Sequence, residues 1–136
     1  MNKQEFLEVI DKLNLPKDQY CIIASGVMLM HGLREQVDDV DLKVSPELFE
    51  DLMRKYNMQQ SSRYDYVYEL NGNIDVNCVN FDPNAIEITS GYPVENLEKQ
   101  LAWKLANNRP KDQDDIRKIQ EYLAMQRNKL NDESEK

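Results

Sequence analysis

A chain of 136 residues is about the size of one domain with a self-sufficient core, and 40% hydrophobic with 31% charged residues is the balance of a globular protein. Its formal charge of −8 argues against tight, sequence-independent nucleic-acid binding but leaves room for a local basic patch, or for carboxylates neutralised by a divalent cation. No apolar run approaches the roughly 20 residues of a membrane span, and MNKQEFLEVIDKL lacks a signal-peptide apolar core, so no membrane and a cytoplasmic address are expected. One histidine, His31, rules out a multi-histidine zinc site, and Cys21 and Cys78, each inside an apolar run, read as buried thiols.

In KQEFLEVIDKLNL, Phe6, Leu7, Val9, Ile10 and Leu13 recur at helical spacing, and Pro16 closes that helix. Tyr20 to Ile23 reads as a buried strand. Ser25-Gly26 then opens a helix of about two turns, VMLMHGL, and Val40 to Val44 forms the next strand. Ser45-Pro46-Glu47 combines a cap, a proline at the first helical position and an acid at the positive end of the dipole, predicting a helix to about Tyr56. SRYDYVYEL, Asn71-Gly72 and NIDVNCVNF predict a hairpin, with a further short strand at AIEIT. A fourth helix carries Leu97, Leu101, Trp103 and Leu105; a fifth runs from Asp112 to about Leu130. The expectation is α/β (α+β): a small mixed sheet with flanking helices, C-terminal helices on the core, a single domain over 1–130 and a solvated tail over 131–136.

Three aspartates crowd the mouth of the Val40 strand. Alternation sends Asp39 and Asp41 to one side and Val40 and Leu42 to the other, with Asp38 a bystander facing away. On the second hairpin strand, Ile74, Val76 and Cys78 point inward and Asp75 outward. If the strands are neighbours, three carboxylates converge. Two negative charges about 4 Å apart repel by roughly 4 kcal/mol at an effective dielectric near 20, and Mg²⁺ or Mn²⁺ with hard oxygen ligands would reverse that sign. Acid-x-acid also occurs at Asp112/Asp114 and Glu133/Glu135, but those pairs lie on a predicted helix and in the tail. The competing reading of Asp39/Asp41 is a solvated strand end. Ser25-Gly26 fits an anion cradle at a helix start, and Arg34, in the next loop, a phosphate clamp; an ordinary turn and a surface arginine are the plainer readings. Tyr64, Tyr66 and Tyr68 alternate along one strand, available for stacking a ring or for packing.

The order of these pieces resembles the nucleotidyltransferase superfamily related to DNA polymerase beta. That pattern opens a short helix with Gly-Gly or Gly-Ser, places Asp-x-Asp in a strand about a dozen residues on, and a third acid in a later strand. Here Ser25-Gly26 stands for the glycine pair, with Ser25 in place of the first glycine. Gly26 precedes Asp39 by thirteen positions, DVD matches the acid pair and Asp75 in IDV the third acid. HGLREQVDDVDLKV looks like the small bacterial members, the minimal nucleotidyltransferases and abortive-infection-type toxins of toxin–antitoxin pairs. KQLAWKL with Lys104, then RPKDQDDI with Arg109, Lys111, Asp112, Asp115 and Ile116, is similar to their C-terminal helices.

The resemblance implies Mg²⁺ or Mn²⁺ held by Asp39, Asp41 and Asp75, with Asp75 nearer the acceptor. It implies an NTP, ATP the expected donor, held by Ser25, Gly26 and Arg34 or Lys104. A nucleoside monophosphate would pass to a hydroxyl or similar acceptor, with release of pyrophosphate. Arg109, Lys111, Asp112 and Asp115 are read instead as caps and ion pairs at the helix junction. The acceptor stays open among an antibiotic, a partner protein and a tRNA end, and a second subunit could complete the cleft as a homo-oligomer. The alternative is a non-catalytic nucleotide-binding or regulatory partner module that keeps the fold.

Overall fold

A computed structural model describes residues 1–134. The chain divides into two compact units, Met1–Asn96 and the segment from Leu97 onward. No helix among the described residues is long and apolar enough to cross a membrane.

The first unit contains α1 (Lys3–Leu13), β1 (Tyr20–Ile22), α2 (Ser25–Met30), β2 (Val40–Val44), α3 (Pro46–Lys55), β3 (Gln59–Gln60), β4 (Tyr68–Asn71), β5 (Ile74–Asn77), β6 (Ile86–Thr89) and β7 (Tyr92–Glu95). They build a mixed sheet of order β3-β4-β5-β2-β1-β7-β6. The β2–β5 and β1–β7 pairs are parallel and the rest antiparallel.

Local chemistry sets the element ends. The Asn2 side chain accepts from Glu5 N at 2.9 Å while Glu5 Oε1 accepts from Asn2 N at 3.0 Å, a reciprocal cap for α1. Asn14 ends α1 in the left-handed region, two residues before Pro16. Ser45 Oγ accepts from Leu48 N at 3.1 Å, and Pro46 takes the first position of α3. Phe6 and Ile10 of α1, Leu48 and Leu52 of α3 and the apolar faces of β1, β2 and β5 form the core.

Three sequence expectations need correction. Tyr64 and Tyr66 are not in the strand; β4 begins at Tyr68, and residues 61–67 form a loop closed by Ser61 N donating to Val67 O at 2.8 Å. Two strands are unforeseen in the sequence: β3, and β7, which pairs with both β6 and β1. Its Pro93 disguises it, and the turn before it uses Ser90 and Gly91, both at positive φ. Asn77 is buried and Cys78 half-buried, so the inward alternation of β5 stops at Val76.

Close packing fixes α2. A Cβ at Gly26 would stand 2.6 Å from Ile22 Cγ2 and 2.7 Å from Phe6 Cζ, so the missing side chain lets α2 sit against β1 and α1. The second unit contains α4 (Leu97–Asn107), a short 3₁₀ turn (Pro110–Asp112) and α5 (Gln113–Ser134). α5 continues through residues expected in the tail; Glu135 and Lys136 lie outside the described residues.

Gly26→Ala should lower stability by about 1–3 kcal/mol through overpacking, read as a lower urea midpoint with unchanged slope.

Candidate active site

β2 alternates strictly. Val40, Leu42 and Val44 are fully buried, and Asp41 and Lys43 take the opposite, half-buried face. β5 does the same with Ile74 and Val76 inward and Asp75 outward. The two strands are parallel neighbours with Asp41 directly beside Asp75. Asp39, exposed, comes one residue before β2, and Asp38 beside it is exposed as well.

The sequence did not disclose the next member. Glu69 of β4 is the register partner of Asp75, so Asp41, Asp75 and Glu69 stand in a row across three strands. A simple two-residue hairpin around Gly72-Asn73 would set Leu70 against Asp75. A bulge between Glu69 and Asn71 shifts the register by one, while Leu70 stays buried.

The electrostatics follow from this crowding. Burial, then the charges of Asp75 and Asp39, push the Asp41 carboxyl up to about 7. Burial also raises Asp75, helped by Glu69 and Asp39 and opposed by the Arg63 guanidinium. Arg63, from the loop before β4, is a second residue that the sequence reading missed.

The β1–α2 turn flanks the row. Ile23 N donates to Asp41 O at 3.1 Å, then the chain turns at Ala24, with φ 57° and ψ −137°. That conformation suits glycine and costs a residue with a Cβ about 1–3 kcal/mol. The glycine-like position is therefore Ala24, while Ser25 is an ordinary first residue of α2 and Gly26 serves packing. Arg34 is half-buried in the loop between α2 and β2. Met1 and Val37 brace that loop by reciprocal backbone bonds of 2.6 and 2.9 Å.

In the second unit, Lys104 is buried, with Nζ 3.4 Å from Asp112 Oδ1 and 3.3 Å from Asp115 Oδ2. Arg109 forks onto Asp112 at 2.6 and 2.9 Å and lies over the Trp103 ring at 4.7 Å. Lys111 is exposed. The Arg109 hydrogen bonds, then the Lys104 charge, hold the Asp112 carboxyl below the usual range.

Among the described residues no three acid, histidine or cysteine side chains form a ready-made metal cage. The donor set nonetheless suits a hard cation. Mg²⁺ is commonly bound by one or two carboxylates with water and substrate phosphates completing the shell, and Asp41 is a half-buried acid beside further negative charge.

Two solved structures share this architecture. The candidate nucleotidyltransferase TM1012 of Thermotoga maritima superposes with a TM-score of 0.56 at 18% identity, covering 90% of this chain and 96% of its own. ANT(2″)-Ia in complex with adenylyl-2″-tobramycin superposes with 0.54 at 13% identity, covering 93% of this chain and 90% of its own. The fold is that of a nucleotidyltransferase. No family model and no curated protein sequence matches the chain. Within this fold, Asp41 and Asp75 lie on the central strands β2 and β5, and the β1–α2 turn lies at the same end of β2 as Asp39.

Two outcomes test these electrostatics. Asp75→Asn removes a like charge directly beside Asp41, so metal-free protein should gain up to about 1 kcal/mol at neutral pH, seen as a higher melting temperature. In the second unit, Asp112 has a lowered folded pKa, so its stabilisation is present above the unfolded carboxylate value and is lost as pH falls through the folded one. Lys104→Ala should cost roughly 3 kcal/mol at pH 7, because it strips a partner from two buried carboxylates, and less in acid; urea melts at both pH values measure this.

Proposed function

We propose that this protein transfers a nucleoside monophosphate from an NTP, with ATP the expected donor, to a hydroxyl or similar acceptor, releasing pyrophosphate. The observation that carries the reading is the side-by-side placement of Asp41 and Asp75, with Asp39 two residues before Asp41, on the central strands of a nucleotidyltransferase fold.

Asp39, Asp41 and Asp75 would hold Mg²⁺ or Mn²⁺. When bound, the cation supplies charge neutralisation at the phosphoryl oxygens and eases ionisation of the acceptor hydroxyl. The chain's own residues do the rest. The Ser25 hydroxyl and the backbone at Ala24 to Gly26 bind phosphate oxygens, and Arg34 offsets the charge that grows on departing pyrophosphate. An Asp75 carboxylate oxygen, on the side of the row away from α2, receives the acceptor's proton. Lys104 is left out of the phosphate-binding set, since its ammonium already meets Asp112 and Asp115. The adenylylated tobramycin held by the neighbour supports an antibiotic as one acceptor class; a partner protein and a tRNA end are the others.

The test uses purified protein with each α-³²P-labelled NTP, with and without Mg²⁺ or Mn²⁺, beside thermal-shift curves. Wild type should be stabilised by NTP only with the cation and should pass label to itself or to a component of an added lysate. Asp39→Ala/Asp41→Ala should lose both, transfer falling at least about 10³-fold. Stabilisation without label transfer would indicate a binding module, and no shift with any NTP would sink the nucleotide reading.

A further inference from the structure

The 61–67 loop joins β3 to β4 beside the acidic row, and its backbone is held. Beyond the Ser61–Val67 closure, Gln60 Nε2 donates to Asp65 O at 2.8 Å, Arg63 N to Ser61 Oγ at 3.1 Å and Val67 N to Tyr64 O at 3.3 Å. On this frame Tyr64 and Tyr66 are 44% and 45% exposed. Their ring centroids lie 5.5 Å apart with planes at 43°. Tyr68, one residue past the loop, is instead packed edge-on against Phe49 at 5.4 Å. The two outer rings touch each other, so they offer one continuous aromatic surface that a flat ring covers from outside rather than between them.

Its placement ties this surface to the site. Tyr68 pairs with Val76 and Glu69 with Asp75, so the loop rises from the strand next to the third acid. The formal charges of Arg63 and Asp65 offset one another, and the whole chain is acidic. Such a surface suits a single flat ring and not a polyanionic tract, which would require a basic track.

We propose that the Tyr64–Tyr66 surface is a stacking site for the nucleobase of the NTP. This rests on the nucleotidyl-transfer reading and adds to it the wall that recognises the base. Stacking on tyrosine uses the π face and leaves the hydroxyl free, so phenylalanine should substitute.

Calorimetric titration with Mg²⁺ present would compare three probes: ATP, inorganic tripolyphosphate and a trinucleotide RNA with a free 3′-hydroxyl. Tyr64→Ala/Tyr66→Ala should weaken ATP by about tenfold or more with tripolyphosphate unchanged, and Tyr64→Phe/Tyr66→Phe should keep wild-type affinity. Loss confined to the trinucleotide, with ATP binding unchanged, would overturn the surface as the wall for the base of the NTP. If the alanine variant unfolds, Tyr64→Leu/Tyr66→Leu keeps apolar bulk without a π face and gives the same comparison. A folded variant that binds ATP and the trinucleotide as wild type does overturns the stacking site while leaving nucleotidyl transfer standing. If wild type binds no nucleotide, both fall together.

Discussion

The parallel pairing of β2 with β5 is the constraint on which the site depends. Val40, Leu42, Val44, Ile74 and Val76 are each at most 2% exposed, and all lie on the core side of those strands. Because side chains alternate with period 2, burying that set forces Asp41 and Asp75 to the opposite face, in register. A one-residue slip of either strand would turn that strand's carboxylate toward the core. The magnitudes favour the observed register: each buried aliphatic is worth about 1.5–3 kcal/mol, while carboxylate repulsion amounts to roughly 4 kcal/mol even at 4 Å. The acids are adjacent because the apolar residues behind them leave no other arrangement.

The second flank of the site is set the same way. α2 is pressed onto Ile22 and Phe6 through Gly26, so the chain leaving β1 has only Ala24 in which to turn. The strain at Ala24 and the repulsion among the acids thus fall within a few residues of each other. Both are unfavourable locally, and both are held by a core that gains more elsewhere. That coincidence is the usual mark of a site shaped by something other than stability.

Where local chemistry decides, the sequence was readable. The proline-started α3, the β4–β5 hairpin, whose turn falls at Gly72-Asn73 rather than at Asn71-Gly72, and the alternation of β2 all signal themselves through caps, turn residues and periodicity. The misses are tertiary. β7 contains Pro93 and exists because β1 and β6 supply partners. Glu69 joins the row through a bulge, and the glycine-like position moved from Ser25 to Ala24 because Gly26 was already committed to packing. Lys104 read as a phosphate ligand by motif order, but Asp112 and Asp115 come within reach of it only once α4 and α5 are folded back on one another. The placement of Asp41 beside Asp75 was legible from alternation, while Asp39 lies one residue before β2. Their neighbours Glu69 and Arg63 were not, since neither belongs to a local pattern.

The treatment of buried acids elsewhere sharpens the meaning of that row. Glu95 meets Lys43 at 3.6 Å, and Asp112 meets both Arg109 and Lys104. Lys43 lies only two residues along β2 from Asp41, on the same face, so a cation is available to this strand and is placed against Glu95. Asp41 meets the negative charges of Asp75 and Asp39 instead, and its carboxyl is pushed up to about 7. A fold that meets its buried carboxylates with lysine or arginine leaves this half-buried one crowded by its own sign. A permanent ammonium or guanidinium beside Asp41 would relieve the repulsion, but it would also fill the space where an exchangeable cation and a triphosphate could meet. Under the proposed nucleotidyl transfer, the compensating charge of this row would arrive with the metal-bound substrate.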